Sequence, residues 1–393
     1  MTLETPPSAP QATETRTPSP SSKAPARPAP GNRVYNFTAG PATFPLEVME
    51  QVREDLHDYG GLGAGIAEIS HRSQEFKDII EEGEALLHEL MDIPDDYRVL
   101  FCHGGGQLQF SMVPLNLIGL KPARKALYVD TGSFASRAAD IATRYGYVHV
   151  PAHSRETDYD RVPKLDAEIL HQDASYLHIT SNNTAMGTCW RDIPHTGPLP
   201  LVADMTSEIL SRVVDVRRFG LIYAGAQKNL GPSGLAMVIL RKELLGHSLP
   251  GTPQLLDYTS LASDRHSMGN TPSTLSIYMM LLILRWVKEK GGVSAMEKTN
   301  AEKAALLYRV IDGSGFYRGF ALPGHRSPMN VTFDLPDAAL CARFVAEALE
   351  AGLYGLAGHR ARGGVRASIY NAMPMGGPAL LAEFMTAFER ANG

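Results

Sequence analysis

From residue 34 onward, short apolar runs alternate with stretches in which apolar residues recur every three or four positions. Continuous apolar runs of a few residues read as buried strands, and the three-to-four spacing reads as helix. The runs at 99–102, 126–129, 176–179, 201–203, 221–224 and 236–240 are the candidate strands. Several lead straight into Gly, Asp, Ser or Asn and then into an amphipathic stretch, the order expected of a largely parallel α/β sheet covered by helices. In such sheets ligands collect outside the carboxyl ends of the strands. The residues at those ends are therefore the first candidates for chemistry: the glycines 104–106, TGSF at 131–134, SNNT at 181–184, Asp204, and Gln227 with Lys228.

A longer helical pattern follows Asn270-Thr271-Pro272, with Thr271 as the expected N-cap and Pro272 as the first helical residue. KEKGG at 288–292 supplies the stop. Helical stretches are expected at 301–312 and 338–351, and strands at 329–333 and 365–368. These place a large domain at 46–290 and a smaller α+β domain at 291–393, with the segment 32–45 associated with the latter. Residues 1–31 differ from all of this. They are dense in Pro, Ser, Thr and Ala and lack aromatics, so they are expected to form a disordered tail, unable to bury enough apolar surface to offset the entropy of ordering. They also lack the apolar stretch of a secretory signal.

Length and composition narrow the classes. A chain of 393 residues suits one large and one smaller core. The net charge of −5 is spread along the chain, which argues against nucleic acid or an anionic membrane as partner. The longest apolar run, 277–284, stops at Arg285 and is too short to span a bilayer. Cys102, Cys189 and Cys341 are odd in number and far apart. No metal site is expected from them, and a reducing cytoplasmic compartment is the simplest reading.

The chemistry-bearing residues are informative in combination. The glycine run at 104–106 lets backbone N–H groups approach an anion at a helix start, although most such triplets are only turns. Its spacing matches neither the dinucleotide nor the mononucleotide phosphate loop. A lone strand-end Asp204 is most often a helix cap, and a lone Lys228 a solvated charge. Together, on neighbouring strands, they bring a carboxylate and an amine to one edge of the sheet. Pyridoxal 5′-phosphate (PLP) needs such a pair: a lysine to form an imine, and an acid to keep the pyridine nitrogen protonated. Burial beside a cationic ring favours the neutral amine that imine formation needs. Phe134 reads as a stacking ring or a core aromatic, and Thr184 as a ligand to the cofactor's phenolic oxygen or a turn residue. GHRARGGVRASIYNAMP packs His359, Arg360, Arg362 and Arg366 among glycines. That is either a solvated basic loop or an anion site, since an arginine on a buried strand needs an anionic partner. Arg72, in EISHRSQEF, is a second arginine at a helix start. Arginine suits a carboxylate through paired N–H bonds, and a His/Arg pair suits a phosphate.

The segments NFTAGPATFP, EISHRSQEF, FCHGGGQLQFSMVPLN, ADMTSEILSR, IYAGAQKNLGPSG, NTPSTLSIYM, MNVTF and GHRARGGVRASIYNAMP resemble the phosphoserine aminotransferase family, within the fold-type I, class V PLP enzymes. The likeness implies a mainly parallel, seven-stranded type of sheet and a homodimer with shared active sites. It implies one PLP per subunit, held as a Schiff base on Lys228, which would also shuttle the proton, with Asp204 on the pyridine nitrogen. Gly106, Gln107 and Gln227 would hold the cofactor phosphate, joined by Asn270 and Thr271 of the other subunit. Thr184 would bond the phenolic oxygen, and Phe134 would stack where the family commonly has Trp. Arg72 and Arg366 would grip the substrate α-carboxylate, and His359 with Arg360 the substrate phosphate. Thr38 would line the substrate site beside Ala39, which stands where a hydroxyl is frequent. Gln107 replaces an Arg found in some members.

The implied reaction is reversible amino transfer between glutamate and 3-phosphohydroxypyruvate, giving O-phosphoserine and 2-oxoglutarate. Many bacterial members also serve pyridoxine biosynthesis through 4-phosphohydroxythreonine. A cysteine desulfurase on this scaffold would need a mobile cysteine, and Cys341 sits in an amphipathic run that reads as core. A serine– or alanine–glyoxylate aminotransferase would have no use for the His359/Arg360 pair. A non-catalytic PLP-binding regulator would need a partner-binding or DNA-binding domain.

Overall fold

The structure, a computed structural model, describes residues 33–393 apart from His171 and Asp264. The tail expected at residues 1–31 lies outside the described residues. The centre is a seven-stranded sheet of β1 (Tyr97–Gly104), β2 (Lys125–Asp130), β3 (Tyr147–His153), β4 (Leu177–Thr180), β5 (Leu201–Asp204), β6 (Leu221–Gly225) and β7 (Gly234–Arg241), in the order β1-β7-β6-β5-β4-β2-β3. Only β7 runs antiparallel to its neighbours β1 and β6. The register sets Thr180 opposite Asp204 and Asp204 opposite Tyr223.

Alternation along the strands builds two apolar layers, because successive side chains leave opposite faces of a sheet. Val99, Phe101, Leu127, Val129, Ile179 and Met237 pack on one face. They meet α1 (Leu46–Asp55), α2 (Gln74–Met91) and α5 (Thr274–Glu289), which contribute Val48, Ile79, Leu87, Ile277 and Leu281. Leu100, Tyr128, Tyr176, Val202, Tyr223 and Val238 pack on the other face against Phe110, Val113 and Ala138. Those come from α3 (Gly106–Leu117) and α4 (Ser133–Ala142). Between them the two faces account for the near-continuous apolar strands, buried on both sides.

The C-terminal third packs as a separate cluster. Its antiparallel sheet holds β8 (Arg318–Gly319), β9 (Asn330–Asp334) and β10 (Val365–Ser368). The sheet is covered by α6 (Gly292–Gly313), α7 (Ala338–Glu350) and α8 (Gly376–Asn392), with Val331, Phe333, Phe344, Leu381 and Phe388 at the centre. Tyr35 and Phe37 join this cluster, and Tyr35–Asn36 pairs in parallel with Leu353–Tyr354. Among the described residues, no helix is long and apolar enough to cross a membrane.

Two local expectations are corrected. The helix expected to begin at Pro272 with Thr271 as its cap begins at Thr274, with Ser273 as the cap residue. The Ser273 hydroxyl bonds the Ser276 hydroxyl at 2.7 Å rather than a backbone N–H, and its ψ of 85° is not helical. The helix expected over 301–312 starts nine residues earlier, at Gly292.

Candidate active site

The carboxyl ends of β4, β5 and β6 open onto one pocket with a cavity volume of about 210 Å3. Asp204 ends β5 and is 7% exposed. Its Oδ1 accepts from the backbone N–H of Thr206 at 2.9 Å. Burial holds this carboxyl above its ordinary range, while bonds from Thr206 and the charge of Lys228 pull the other way. Lys228 follows β6 in the turn that leads back into β7. Its Nζ donates to the buried Thr184 Oγ1 at 2.5 Å and lies 5.7 Å from the centre of the Phe134 ring. Burial lowers Lys228 to about 8, against the opposing pull of Asp204 and with help from Arg366. A depressed lysine beside a buried acid is the arrangement expected of a functional site.

The glycines earn their places by conformation and by clearance. Gly104 and Gly105 have φ of 95° and 140°, in the region that side chains disfavour. A Cβ on Gly106 would lie 2.8 Å from Thr206 Oγ1, so only glycine lets the first turn of α3 approach β5 and β6. The N-terminus of α3, carrying Gly106 and Gln107, thus faces the pocket with free N–H groups and a favourable dipole for an anion. Phe134 is the second residue of α4, with the His359 ring centred 6.4 Å away.

Arg366, on β10, reaches the pocket from the C-terminal cluster. Its Nε is buried without a hydrogen-bond partner, and burial lowers its pKa. No acid pairs with it among the described residues. His359 stands beside it and is held below its ordinary value by burial first, then by Arg366 and Arg360. Arg362, from the same basic run, is spent elsewhere: it bonds Asp334 at 2.7 Å and lies 3.9 Å over the Phe320 ring.

The pocket therefore gathers Gly106, Gln107, Phe134, Thr184, Asp204, Gln227, Lys228, His359 and Arg366. It does not gather Thr38, Arg72, Arg360, Asn270 or Thr271 within the single chain. The Thr38 hydroxyl donates to Pro41 O at 2.8 Å, and Ala39 and Gly40 line the wall instead. Arg72 is exposed just before Ser73, whose hydroxyl caps α2 by accepting from the Phe76 N–H. Arg360 is exposed on its loop, and Thr271 is exposed ahead of α5. Asn270 bonds His103 Nε2 at 3.0 Å, at the end of β1. Sequence reasoning gave no role to Thr180, Thr206 and Ser207, nor to Asn182 within the strand-end SNNT, though all of these line the pocket. Their signal was available, since all four are small polar residues at or just beyond a strand end.

Orphaned polar atoms test whether PLP fits. Thr180 Oγ1, Asn182 Oδ1 and Arg366 Nε are buried without partners, and all three residues line this pocket. Native proteins leave few such groups unsatisfied. An acid, an amine, an aromatic face and an anion-binding helix start are the complement of a pyridine ring carrying an aldehyde and a phosphate, so the residues fit the group.

Comparison with known proteins gives the family. The aminotransferase class-V family matches residues 34–376. A phosphoserine aminotransferase of Bacillus cereus is 49% identical over 360 residues, covering 92% of this chain and 99% of that protein. The structure of a phosphoserine aminotransferase from Bacillus circulans subsp. alkalophilus superimposes with a TM-score of 0.88 at 44% identity, covering 92% of this chain and all of that one. A PLP-bound phosphoserine aminotransferase from Trichomonas vaginalis gives 0.84 at 34% identity, over 90% of this chain and all of its own.

Proposed function

Because the chain belongs to the phosphoserine aminotransferase family of the class-V aminotransferases, we propose that it moves an amino group between glutamate and 3-phosphohydroxypyruvate, using PLP, to give O-phosphoserine and 2-oxoglutarate. The observation that carries this reading is Arg366, whose buried Nε has no partner and which stands with His359 in the pocket that holds Lys228. When bound, PLP supplies the electron sink that lets a substrate Cα–H bond ionise.

The protein's own groups divide the remaining work. Lys228 Nζ, lowered to about 8, is neutral often enough near neutral pH to act as nucleophile and to carry the proton at the reacting carbon. Asp204, buried but held by the Thr206 N–H, would keep a proton on the ring nitrogen. Thr184 would bond the phenolic oxygen, and Phe134 would cover one ring face. Gly106, Gln107 and Gln227 would hold the cofactor phosphate. Arg366 would bind the α-carboxylate shared by both amino acids, together with Arg72, and His359 with Arg360 would bind the phosphate of phosphoserine. Thr38 would act through the turn that carries Ala39 and Gly40.

A homodimer would complete the site. Asn270 and Thr271, which do not line their own chain's pocket, would reach the cofactor phosphate of the neighbouring subunit. We place the enzyme in the cytoplasm, as its three free cysteines suit a reducing compartment. The division into a large domain at 46–290 and a small one at 291–393, with 32–45 attached to the latter, would let the Arg366 side close on the Lys228 side.

Transamination to 2-oxoglutarate with phosphoserine, serine and alanine as donors tests the reading. Two charge-assisted bonds to the phosphate, each about 1.5–3 kcal/mol, should favour phosphoserine over serine by about a hundredfold or more in kcat/KM. Equal or better use of serine or alanine would reject it.

A further inference from the structure

Lys303 on α6 is the most unusual ionisable side chain outside the pocket. It is fully buried, and among the described residues no acid pairs with it. Its Nζ instead donates to three backbone oxygens, of Tyr370 at 2.7 Å, Met373 at 3.2 Å and Asn371 at 3.3 Å. An ammonium has three donors and no acceptor, so three carbonyls match it. A neutral amine would leave one carbonyl facing a lone pair. Burial alone draws Lys303 down to about 7, a measure of how much the carbonyls must offset to keep the charge there.

The turn that Lys303 grips is wired to the active site. The Asn371 N–H donates to Asn229 Oδ1 at 3.1 Å, and Asn229 is the next residue after Lys228. Lys228, Asn229, Asn371 and Ala372 line one small cavity behind the lysine. Asn371 also donates to Leu210 O at 2.9 Å, and its own Oδ1 accepts from Asn300, one turn before Lys303 on α6. Tyr370, whose carbonyl Lys303 holds, donates its hydroxyl to Ala39 O at 2.9 Å on the pocket wall. Arg366 lies four residues upstream on the strand that runs into this turn.

We infer that Lys303 is a positioning residue of the active site: it fixes the turn 370–373, and through Asn371 and Asn229 that turn sets the direction of the Lys228 side chain. The inference rests on the proposed role of Lys228. A tie that merely staples α6 to the C-terminal strand would have the same three bonds but would not depend on Asn229.

The test compares wild type, Lys303→Met, Asn229→Ala and the double variant as holoenzymes. It reads kcat, KM, thermal midpoint and the pH midpoint of the visible absorbance of the bound cofactor. Lys303→Met should lower kcat by about tenfold or more, as small misplacements of a reacting group do, with little change in KM and a shifted absorbance midpoint. Asn229→Ala should shift the midpoint in the same direction, and the double variant should be no worse than the more damaged single one. Loss of thermal stability alone, with kcat and the midpoint unchanged, would overturn the inference, as would losses that multiply in the double variant. Should Lys303→Met fail to fold, Asn229→Ala and Asn371→Ala decide it. A shared, non-additive shift supports the relay, and an unshifted midpoint in both overturns it. A wild type without cofactor absorbance would instead reject the proposed function itself, before any variant is compared.

Discussion

Replacing Arg366 with methionine should move stability and activity in opposite directions. Methionine keeps much of the buried stem and removes the guanidinium. In the cofactor-free and substrate-free protein that group has a buried Nε without a partner and a pKa lowered by burial. A buried polar group left unsatisfied costs about 1–3 kcal/mol. Arg366 is only partly buried, so water screens part of the cost and about 1 kcal/mol is the appropriate figure. Arg366→Met should therefore raise the thermal midpoint by about 1–3 °C in a chain of this length. Substrate binding should suffer far more. Two parallel charge-assisted bonds to a carboxylate contribute about 3 kcal/mol at the lower end, which is about a hundredfold in kcat/KM. Glutamate and phosphoserine should both show the loss, because both present an α-carboxylate. Single-turnover amino transfer measured separately for each, beside a melting curve, checks both halves. A loss under tenfold for either substrate would refute carboxylate docking at Arg366. A fall of several degrees in the midpoint would show that the guanidinium already has a partner that holds the fold.

Lys228→Met should abolish borohydride fixation of PLP and reduce transamination by several orders of magnitude. Its cofactor-free form carries a pH signature. Between pH 8 and 10.5 the unfolded chain holds a proton that the folded Lys228 has shed, so wild-type stability rises with pH there. The thermal advantage of Lys228→Met should accordingly be largest below pH 8 and fade towards pH 10.5, and a gap constant in pH would contradict this. Removing His359 and Arg360 together should lower kcat/KM for phosphoserine by about a hundredfold while sparing the glutamate half-reaction. Equal losses in both would show that the pair does not serve the phosphate. Mixing Lys228→Ala chains with Asn270→Ala/Thr271→Ala chains should restore about a quarter of wild-type sites if the latter residues act across a two-fold interface. No recovery after verified subunit exchange would confine them to their own chain.

Burial decided how much of the fold could be read from the sequence. The six strands with apolar runs were legible because each is covered on both faces. β3 was not, since it lies at the sheet edge and every residue of YVHVPAH stays at least partly exposed; an edge strand needs no apolar run. The first turns of α6 were hidden by the glycine pair Gly291-Gly292, a stop signal for α5 that also opens α6. At the site, Asp204 and Lys228 were legible as a pair because strand ends converge in a parallel sheet. Arg362 could not be told from Arg366 by composition. One has Asp334 and Phe320 to receive it and the other has nothing, and only the packing of β9 against the loop separates them. Lys303 was invisible for a related reason: its partners are backbone oxygens, which sequence does not mark.

The reversed direction of β7 bears on where this chain tolerates change. A lysine at the end of a strand in an all-parallel sheet would sit at the mouth of a long crossover, free to drift as that connection lengthened or shortened. Here the segment 226–233 returns at once into β7, and the Ala226 N–H closes on Leu235 O at 2.9 Å while the Leu230 and Gly231 N–H groups close on Ala226 O. The lysine is moored at both ends to adjacent strands of one sheet. An inserted residue in that segment would have to be absorbed by rotating Lys228 or by slipping β7 a register, which would exchange the side chains it sends into the two apolar layers. The crossover between β3 and β4, which carries no pocket residue, has no such constraint. Length variation among functional descendants of this sequence should therefore collect there and be absent between β6 and β7.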